Sequence, residues 1–176
     1  MEYGFSCMGY EIAGALGIRM AAPDADVIAM AGDGSYLMLN SELAAAAAMA
    51  VPFTVVVTDN RGYGCINRLQ MATGGAEFNN LLDHAAHTTP LHVDFAAHAA
   101  SLGARSVKVG SIAGLEAALA ARHGQAGPYV IVIDTDPYPS TAEGGHWWDV
   151  AVPEVSARPE VQAARAAYEQ KLKDRA

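Results

Sequence analysis

The feature that most restricts the fold of this chain is a series of short segments in which apolar residues follow one another without alternation. These segments are Val27–Ala31 (VIAMA), Phe53–Thr58 (FTVVVT) and Tyr129–Asp134 (YVIVID), and a shorter strand is predicted over Ser106–Val109. An unbroken apolar pattern is typical of strands that are buried on both faces. Since helix-like segments separate them, we expect an α/β fold with three layers, in which helices cover both faces of a parallel sheet.

The segments between these strands carry the start and stop signals of helices. Helices are predicted over Tyr10–Ala21, Ser41–Ala50, Phe95–Ala104, Ile112–His123 and Glu160–Lys173. Asn40 with Ser41, Asp94 and Ser111 stand where N-caps are expected, because their side-chain oxygens can accept hydrogen bonds from the first turn. Gly103 is a suitable helix stop, since glycine readily adopts the left-handed conformation found there.

The pattern changes after Pro137, where the sequence PYPSTAEGGHWWDVAVPEVSARP predicts an extended tail. We therefore divide the chain into one domain over residues 1–137 and a tail with a terminal helix over residues 138–176. Within the domain, the Gly-rich stretch 59–90 is interpreted as loops with at most one short helix.

The composition excludes several classes of protein. Apolar residues make up 52% and charged residues 17%, which indicates a packed core rather than disorder. The formal net charge of −8, without a run of Lys or Arg, disfavours nucleic acid and anionic membranes as partners. Cys7 and Cys65 form no CxxC pair, and the first residues lack a signal-peptide pattern. We therefore expect a cytoplasmic protein without a membrane partner.

Two polar motifs follow predicted strands directly: GDGS at residues 32–35 and DNRGYG at residues 59–64. Ligands of open α/β sheets bind at the carboxyl ends of the strands. Asp33 offers an anionic oxygen and Asn60 a neutral amide oxygen, both suited to Mg²⁺, and the main-chain N–H groups of Gly34 and Ser35 can face phosphate oxygens. Either motif alone is a common turn. Together, each after a strand, they indicate a magnesium–phosphate site.

The two motifs resemble the signature of thiamine diphosphate-dependent enzymes. The segment CMGYEIA at residues 7–13 and the strand–helix alternation through Asp134 extend this resemblance to the family's pyrophosphate-binding domain, over about residues 3–137. The resemblance implies thiamine diphosphate and Mg²⁺ as cofactors. It implies that the side chains of Asp33 and Asn60 and the carbonyl of Gly62 hold the metal. Asp59 stands where the family often has a second Asn, but the metal-binding Asn60 is present.

The same resemblance assigns the remaining cofactor contacts. Met8 would lie under the bent cofactor and hold its two rings together, and the main chain of residues 6–8 would bond the aminopyrimidine. Gly34 and Ser35 would bind the diphosphate. The full set of implied cofactor-binding residues is Ser6, Cys7, Met8, Gly32, Asp33, Gly34, Ser35, Asn60, Gly62 and Tyr63.

A narrower resemblance connects the chain with hydrolases of this family that open the ring of trihydroxycyclohexane-1,2-dione in myo-inositol catabolism. It rests on MGYEIAGALG, GDGSYLMLNSEL, DNRGYGCINRLQ and the tail segment GGHWWDVAVPEVS. It implies a cyclic polyol dione as substrate, hydrolysis of a carbon–carbon bond, and 5-deoxy-glucuronate as product. The adjacent Trp147 and Trp148 are interpreted as anchors that dock the tail.

The catalytic residue is not assigned, because in this family a glutamate from a separate pyrimidine-binding domain activates the cofactor. That domain would belong to the full-length chain or to a second subunit. We therefore expect residues 1–176 to be an N-terminally truncated fragment, inactive alone, of an enzyme that is a homo-oligomer of at least two subunits. Glu11 and Glu42 fall in predicted helices and are interpreted as structural or surface residues.

Two other functions stay open on the sequence: an acetolactate synthase-like carboligase or decarboxylase domain, and a non-catalytic module that binds magnesium diphosphate. A dinucleotide site is disfavoured, because no GxGxxG opens a helix after a strand. His84 and His87 have the spacing of one helical turn, but no third zinc ligand stands nearby. Their roles, and that of His146, are left open.

Overall fold

In a computed structural model the protein is described over residues 7–89, 91–124, 126–139 and 150–175. Helices alternate with strands along the chain, as the apolar segments predict. The helices are α1 (Tyr10–Ala21), α2 (Asp33–Met38), α3 (Glu42–Ala48), α4 (Gly64–Ala72), α5 (Phe95–Ser101), α6 (Ile112–Ala120) and α7 (Pro159–Arg175). The strands are β1 (Ile28–Gly32), β2 (Thr54–Asp59), β3 (Arg105–Val109) and β4 (Tyr129–Asp134), and a 3₁₀ turn covers Leu82–His84.

The four strands form one parallel sheet in the order β1-β2-β4-β3. The predicted α/β class with a parallel sheet is confirmed. β1 and β2 are neighbours, and Gly32 at the end of β1 pairs with Thr58 near the end of β2. The segments that leave these two strands therefore start at the same edge of the sheet.

The core lies on both faces of the central strands, because their successive side chains point to opposite sides. Val55 and Val57 of β2, with Val130 and Val132 of β4, pack against residues of α1, α3 and α5. Ile131 of β4 packs on the other face with Ala118 of α6. Helices on both faces, as predicted, bury the two central strands.

Strand β1 was expected to be buried on both faces, but only one of its faces is buried. Ala29 and Ala31 are buried, whereas Ile28 is 43% and Met30 is 68% exposed. The physical reason is position: β1 is an edge strand, and its outward-facing residues lack a covering helix in the described part of the chain. An apolar run alone does not distinguish a strand covered on both faces from one covered on a single face.

Several local predictions are confirmed and others are corrected. The Asp94 and Ser111 side chains accept hydrogen bonds from Ala97 and Gly114 N–H groups, as N-caps do. Ser41 makes no such bond, and the Asn40 amide instead donates to the carbonyl of Tyr36 at the end of α2. Helix α2 begins on the GDGS motif itself and has no counterpart among the predicted helices. Helix α4 is the short helix allowed between residues 59 and 90.

The chain forms two compact units, Met1–Gly62 with Leu91–Thr135, and Tyr63–Pro90 with Asp136–Ala176. The first unit contains the sheet. In the second, the Arg158 guanidinium donates to the carbonyl of Gly74, and Val161 of α7 is buried. The division at residue 137 proposed from the sequence stays a prediction. None of the helices in the described ranges combines the length and hydropathy that a bilayer-spanning segment needs.

Candidate metal and diphosphate site

The site is built where β1 and β2 end. Asp33 follows the last residue of β1, and Asn60 follows the last residue of β2. Because the two strands are adjacent and parallel, their carboxyl ends bring these residues to one edge. The main-chain N–H of Gly62 donates to Asp33 Oδ2 over 2.8 Å, which fastens one segment to the other.

Two oxygens at this edge lack a hydrogen-bond partner. Asp33 is only 5% exposed, and its second oxygen, Oδ1, is buried without a partner among the described residues. Asn60 Oδ1 is also buried and has no hydrogen-bond partner among the described residues. Buried acceptors are rarely left in this state. A carboxylate oxygen and an amide oxygen are hard ligands of the kind that Mg²⁺ takes, with phosphate and water completing its coordination. The donor set therefore fits magnesium.

The surroundings of Asp33 disfavour its charged form. Burial raises the pKa of the Asp33 carboxyl above its ordinary value, and the negative charge of Asp59 adds to this effect. Main-chain N–H groups of Gly62 and Asn60 act in the opposite direction. A bound divalent cation would lower the pKa of Asp33, because it stabilises the charged carboxylate directly.

In the described part of the chain no cluster of three His, Cys, Asp or Glu side chains offers a metal site.

The loop after β2 has the backbone conformation that the hydrogen bond from Gly62 to Asp33 requires. Arg61 has a φ of 57°, and its N–H donates to Asp59 Oδ1 over 3.0 Å, so residues 59–61 form a tight turn. Gly62 then has a φ of 148°, which side-chain-bearing residues rarely adopt. A glycine is therefore needed where the chain turns its N–H toward Asp33.

The GDGS motif forms the end of β1 and the first turn of α2. Asp33, Gly34 and Ser35 are buried. The first N–H groups of a helix have no partner within that helix, so those of Gly34 and Ser35 are available as donors. Gly32 has an extended backbone, and a Cβ added to it would meet no atom within 4 Å. Packing of the described residues does not demand glycine here, whereas close approach of a ligand would.

The Ser35 hydroxyl is engaged with the start of α1. The main-chain N–H of Gly9 donates to Ser35 Oγ over 2.9 Å, and Ser35 Oγ donates to Glu11 Oε1 over 2.7 Å. The sequence interpretation of Glu11 as a structural or surface residue missed this contact with the motif. The contact joins residues 24 positions apart, and the sequence contains no local signal for it.

The other residues for which the sequence predicts cofactor contacts are Ser6, Cys7, Met8 and Tyr63. Met8 directly precedes Gly9, which brings it beside the Ser35 contact, and it is 43% exposed. Cys7 is an exposed free thiol. Tyr63 is the first residue of the second unit, and its N–H donates to the carbonyl of Asn80. Ser6 lies outside the described residues.

The second unit holds a polar cluster that the sequence did not predict. Asn67 is 2% exposed, and its amide donates to Glu77 Oε1 over 2.9 Å. Glu77 Oε2 lies 3.7 Å from His84 Nδ1, an ion-pair distance that is too long for a hydrogen bond. His84 Nε2 lies 3.4 Å from the Tyr138 hydroxyl. His146, Trp147 and Trp148 lie outside the described residues.

Comparison with known proteins shows the family to which this chain is similar, through one family profile and several relatives. The profile described as "Thiamine pyrophosphate enzyme, C-terminal TPP binding domain" matches residues 1–133. The 3D-(3,5/4)-trihydroxycyclohexane-1,2-dione hydrolase of Halalkalibacterium halodurans is 42% identical over 175 residues, which is 98% of this chain and 27% of that protein. The protein of the same name from Geobacillus thermodenitrificans is 41% identical over 98% of this chain and 28% of its own length.

A solved structure supports the fold. The thiamine diphosphate-dependent 4-hydroxybenzoylformate decarboxylase of Rhodococcus jostii RHA1 matches with a TM-score of 0.65 and 24% identity, over 73% of this chain and 23% of that chain. The likeness at this identity concerns the fold alone. The chain spans about a quarter of the length of the curated relatives it matches.

Proposed function

We propose that this chain, which belongs to the thiamine pyrophosphate enzymes as their C-terminal TPP-binding domain, binds the magnesium–diphosphate end of thiamine pyrophosphate. This cofactor is also called thiamine diphosphate. The observation that carries the proposal is the pair of buried acceptor oxygens without partners, Asp33 Oδ1 and Asn60 Oδ1, at one edge of the sheet. Both would gain a partner when a cation binds.

The residues have separate tasks in this proposal. The side chains of Asp33 and Asn60, with the carbonyl of Gly62, hold Mg²⁺. The main-chain N–H groups of Gly34 and Ser35 bind diphosphate oxygens, and Gly32 leaves room for the ligand. The segment with Ser6, Cys7 and Met8 binds the ring end of the cofactor. When bound, thiamine diphosphate supplies an electron sink for breaking a carbon–carbon bond next to a carbonyl group.

The specific reaction that we propose is the hydrolytic ring opening of 3D-trihydroxycyclohexane-1,2-dione to 5-deoxy-glucuronate. Its support is the identity of about 42% to proteins named as this hydrolase, which extends over 98% of the chain and thus includes the tail. The protein's share in the reaction is to orient the dione and to admit one water molecule. The water adds its elements across the broken carbon–carbon bond, so one new end is a carboxylic acid.

Catalysis also requires a partner in this proposal. A pyrimidine-binding domain, from the same polypeptide or a second subunit, would supply the glutamate that contacts the aminopyrimidine. Exposed Ile28 and Met30 on β1 favour a further protein surface against this face, because apolar side chains grouped on a strand are usually covered. We expect catalysis to depend on that domain, and we expect the enzyme to be a homo-oligomer in the cytoplasm.

Substrate comparison tests the specific reaction. The intact protein is supplied with thiamine diphosphate, Mg²⁺ and either trihydroxycyclohexane-1,2-dione or pyruvate, and the products are identified by mass spectrometry. The proposal predicts an open-chain acid from the dione and no acetolactate from pyruvate. Acetolactate as the main product would establish the carboligase alternative. Tight cofactor binding with no turnover of either compound would instead favour the non-catalytic module.

A further inference from the structure

One hydroxyl group connects the two parts of the proposed cofactor site. Ser35 Oγ accepts a hydrogen bond from Gly9 N–H over 2.9 Å and donates one to Glu11 Oε1 over 2.7 Å. A serine hydroxyl has a single proton to donate. That proton is used within the chain, so it is not available to a phosphate oxygen. Ser35 and Gly9 are buried, which makes loss of these bonds costly.

The Gly9 backbone is shaped for this contact. Its φ of 87° is in the left-handed region, which a side-chain-bearing residue adopts only with strain. A Cβ at this position would lie 3.1 Å from Met38 Cβ, tighter than ordinary packing. The segment before α1 therefore lies against α2 at two places: Ser35 in its first turn and Met38 at its end.

We infer that Glu11 and Ser35 are positioning residues. They hold the Met8–Gly9 segment, which faces the cofactor rings in the proposed function, at a fixed place relative to the first turn of α2, which faces the diphosphate. The inference rests on that proposed function and adds residue roles to it. Ser35 meets the diphosphate through its main-chain N–H, while its hydroxyl serves the protein.

The energetic consequence is preorganisation. A ligand that spans both parts of the site loses affinity if the Met8–Gly9 segment must first become ordered. A ligand that contacts only the diphosphate part does not incur this cost. The contribution of the connection therefore shows as the difference between two affinities, that of thiamine diphosphate and that of inorganic pyrophosphate.

The test measures both affinities by calorimetry in the intact protein with Mg²⁺ present. Glu11→Ala and Ser35→Ala are expected to weaken thiamine diphosphate binding about tenfold, the effect of losing a hydrogen bond to a charged group. Pyrophosphate binding should change by less than about twofold, within the scatter of a surface substitution. Glu11→Gln keeps an acceptor oxygen and should retain most of the affinity. The double variant should be no weaker than either single one, because both remove the same connection.

Glu42→Ala is the matched control, since Glu42 is also half-buried in the first turn of a helix. It should leave both affinities unchanged. Hydrogen exchange of the Gly9 amide gives a readout without any ligand, and it should be faster in Glu11→Ala and Ser35→Ala.

Equal losses for thiamine diphosphate and pyrophosphate would show a general structural role and overturn the inference. Unchanged affinity in Glu11→Ala, or unchanged Gly9 exchange, would also overturn it. A wild-type protein that binds neither ligand would refute the proposed function itself, which separates the two failures.

Discussion

The main-chain N–H of Gly62 donates to Asp33 Oδ2 over 2.8 Å, and this bond helps to orient the carboxylate, which is only 5% exposed. With Oδ2 occupied, Oδ1 is the oxygen left for a cation. Gly62 thus connects the loop after β2 with Asp33, the first residue of α2. Its carbonyl, on the same residue, is the third proposed metal contact, so the loop would be preorganised for the ion.

A buried carboxylate without a cation should destabilise the metal-free protein. Burial and the charge of Asp59 raise the pKa of Asp33, so its ionised form is disfavoured in the fold. We predict that Asp33→Asn raises the free energy of unfolding at pH 7, without divalent metal, by on the order of 1 kcal/mol. Denaturant titration with a chelator present measures this change.

The control is Asp24→Asn, which removes the same charge at an exposed position. It should change the free energy of unfolding by less than about 0.5 kcal/mol. A clear destabilisation by Asp33→Asn would show that the protein itself stabilises the Asp33 carboxylate, which would contradict its proposed role as a cation ligand.

Tyr36 should make stability sensitive to high pH. The ring is fully buried, its hydroxyl lies 2.9 Å from His98 Nδ1, and burial raises its pKa to about 12 from 10.0. In the unfolded chain the phenol loses its proton near pH 10, whereas in the fold it keeps it until about pH 12. The unfolded state therefore binds fewer protons in this window, and stability falls as the pH rises from 10 to 12.

Tyr36→Phe tests this prediction. The variant should lose about 1 kcal/mol of stability at neutral pH, because one hydrogen bond is removed and His98 Nδ1 loses its partner. The fall in stability between pH 10 and 12 should be smaller than in the wild type. Tyr10→Phe, at a half-exposed tyrosine, should keep the wild-type fall. Equal slopes in all three proteins would contradict the assignment.

Met8 should act on turnover rather than on metal binding. We predict that Met8→Ala lowers the turnover of the intact enzyme while the affinity for Mg²⁺ with pyrophosphate stays nearly unchanged, because Met8 is proposed to touch the rings only. Since Met8 is half-exposed, thermal unfolding should be little affected. A loss of metal affinity as large as the loss of turnover would make Met8 a packing residue.

Point variants of Trp147 and Trp148 test whether the tail contributes to the proposed reaction. A deletion after Asp136 would remove the buried Val161 and the hydrogen bond from Arg158 to Gly74, and so damage the second unit itself. We predict that Trp147→Ala and Trp148→Ala reduce dione hydrolysis more than thiamine diphosphate binding, because the proposed metal contacts precede Gly64. Normal hydrolysis rates in both variants would show that the two tryptophans have no role in the reaction.

Segments with strong local signals were predictable from the sequence. Helix α1 and strand β4 have the bounds that their apolar patterns and punctuation predicted. Residue chemistry and position directly after a strand predict Asp33 and Asn60 as site residues, and the sheet register explains why they share an edge. That part of the site depends on a parallel sheet, which the apolar segments predict, and on the adjacency of β1 and β2, which the sequence analysis did not predict.

Features that depend on tertiary contacts were not predictable. Helix α2 contains a glycine, which disfavours helix, and the burial of Tyr36 against Phe95 and His98 compensates for it. The exposure of Met30 depends on what covers an edge strand. The contact of Ser35 with Glu11 joins two helices that no local pattern relates.

Whether Asp33 and Asn60 bind magnesium with the cofactor is measured by calorimetric titration of the intact protein with thiamine diphosphate, with and without Mg²⁺, for the wild type, Asp33→Ala and Asn60→Ala. We predict binding that depends on Mg²⁺ in the wild type, and loss of that dependence in both variants, since each removes a proposed metal ligand. Glu42→Ala, as the control, should bind like the wild type. An unchanged, Mg²⁺-dependent affinity in Asp33→Ala would contradict the assignment of the site.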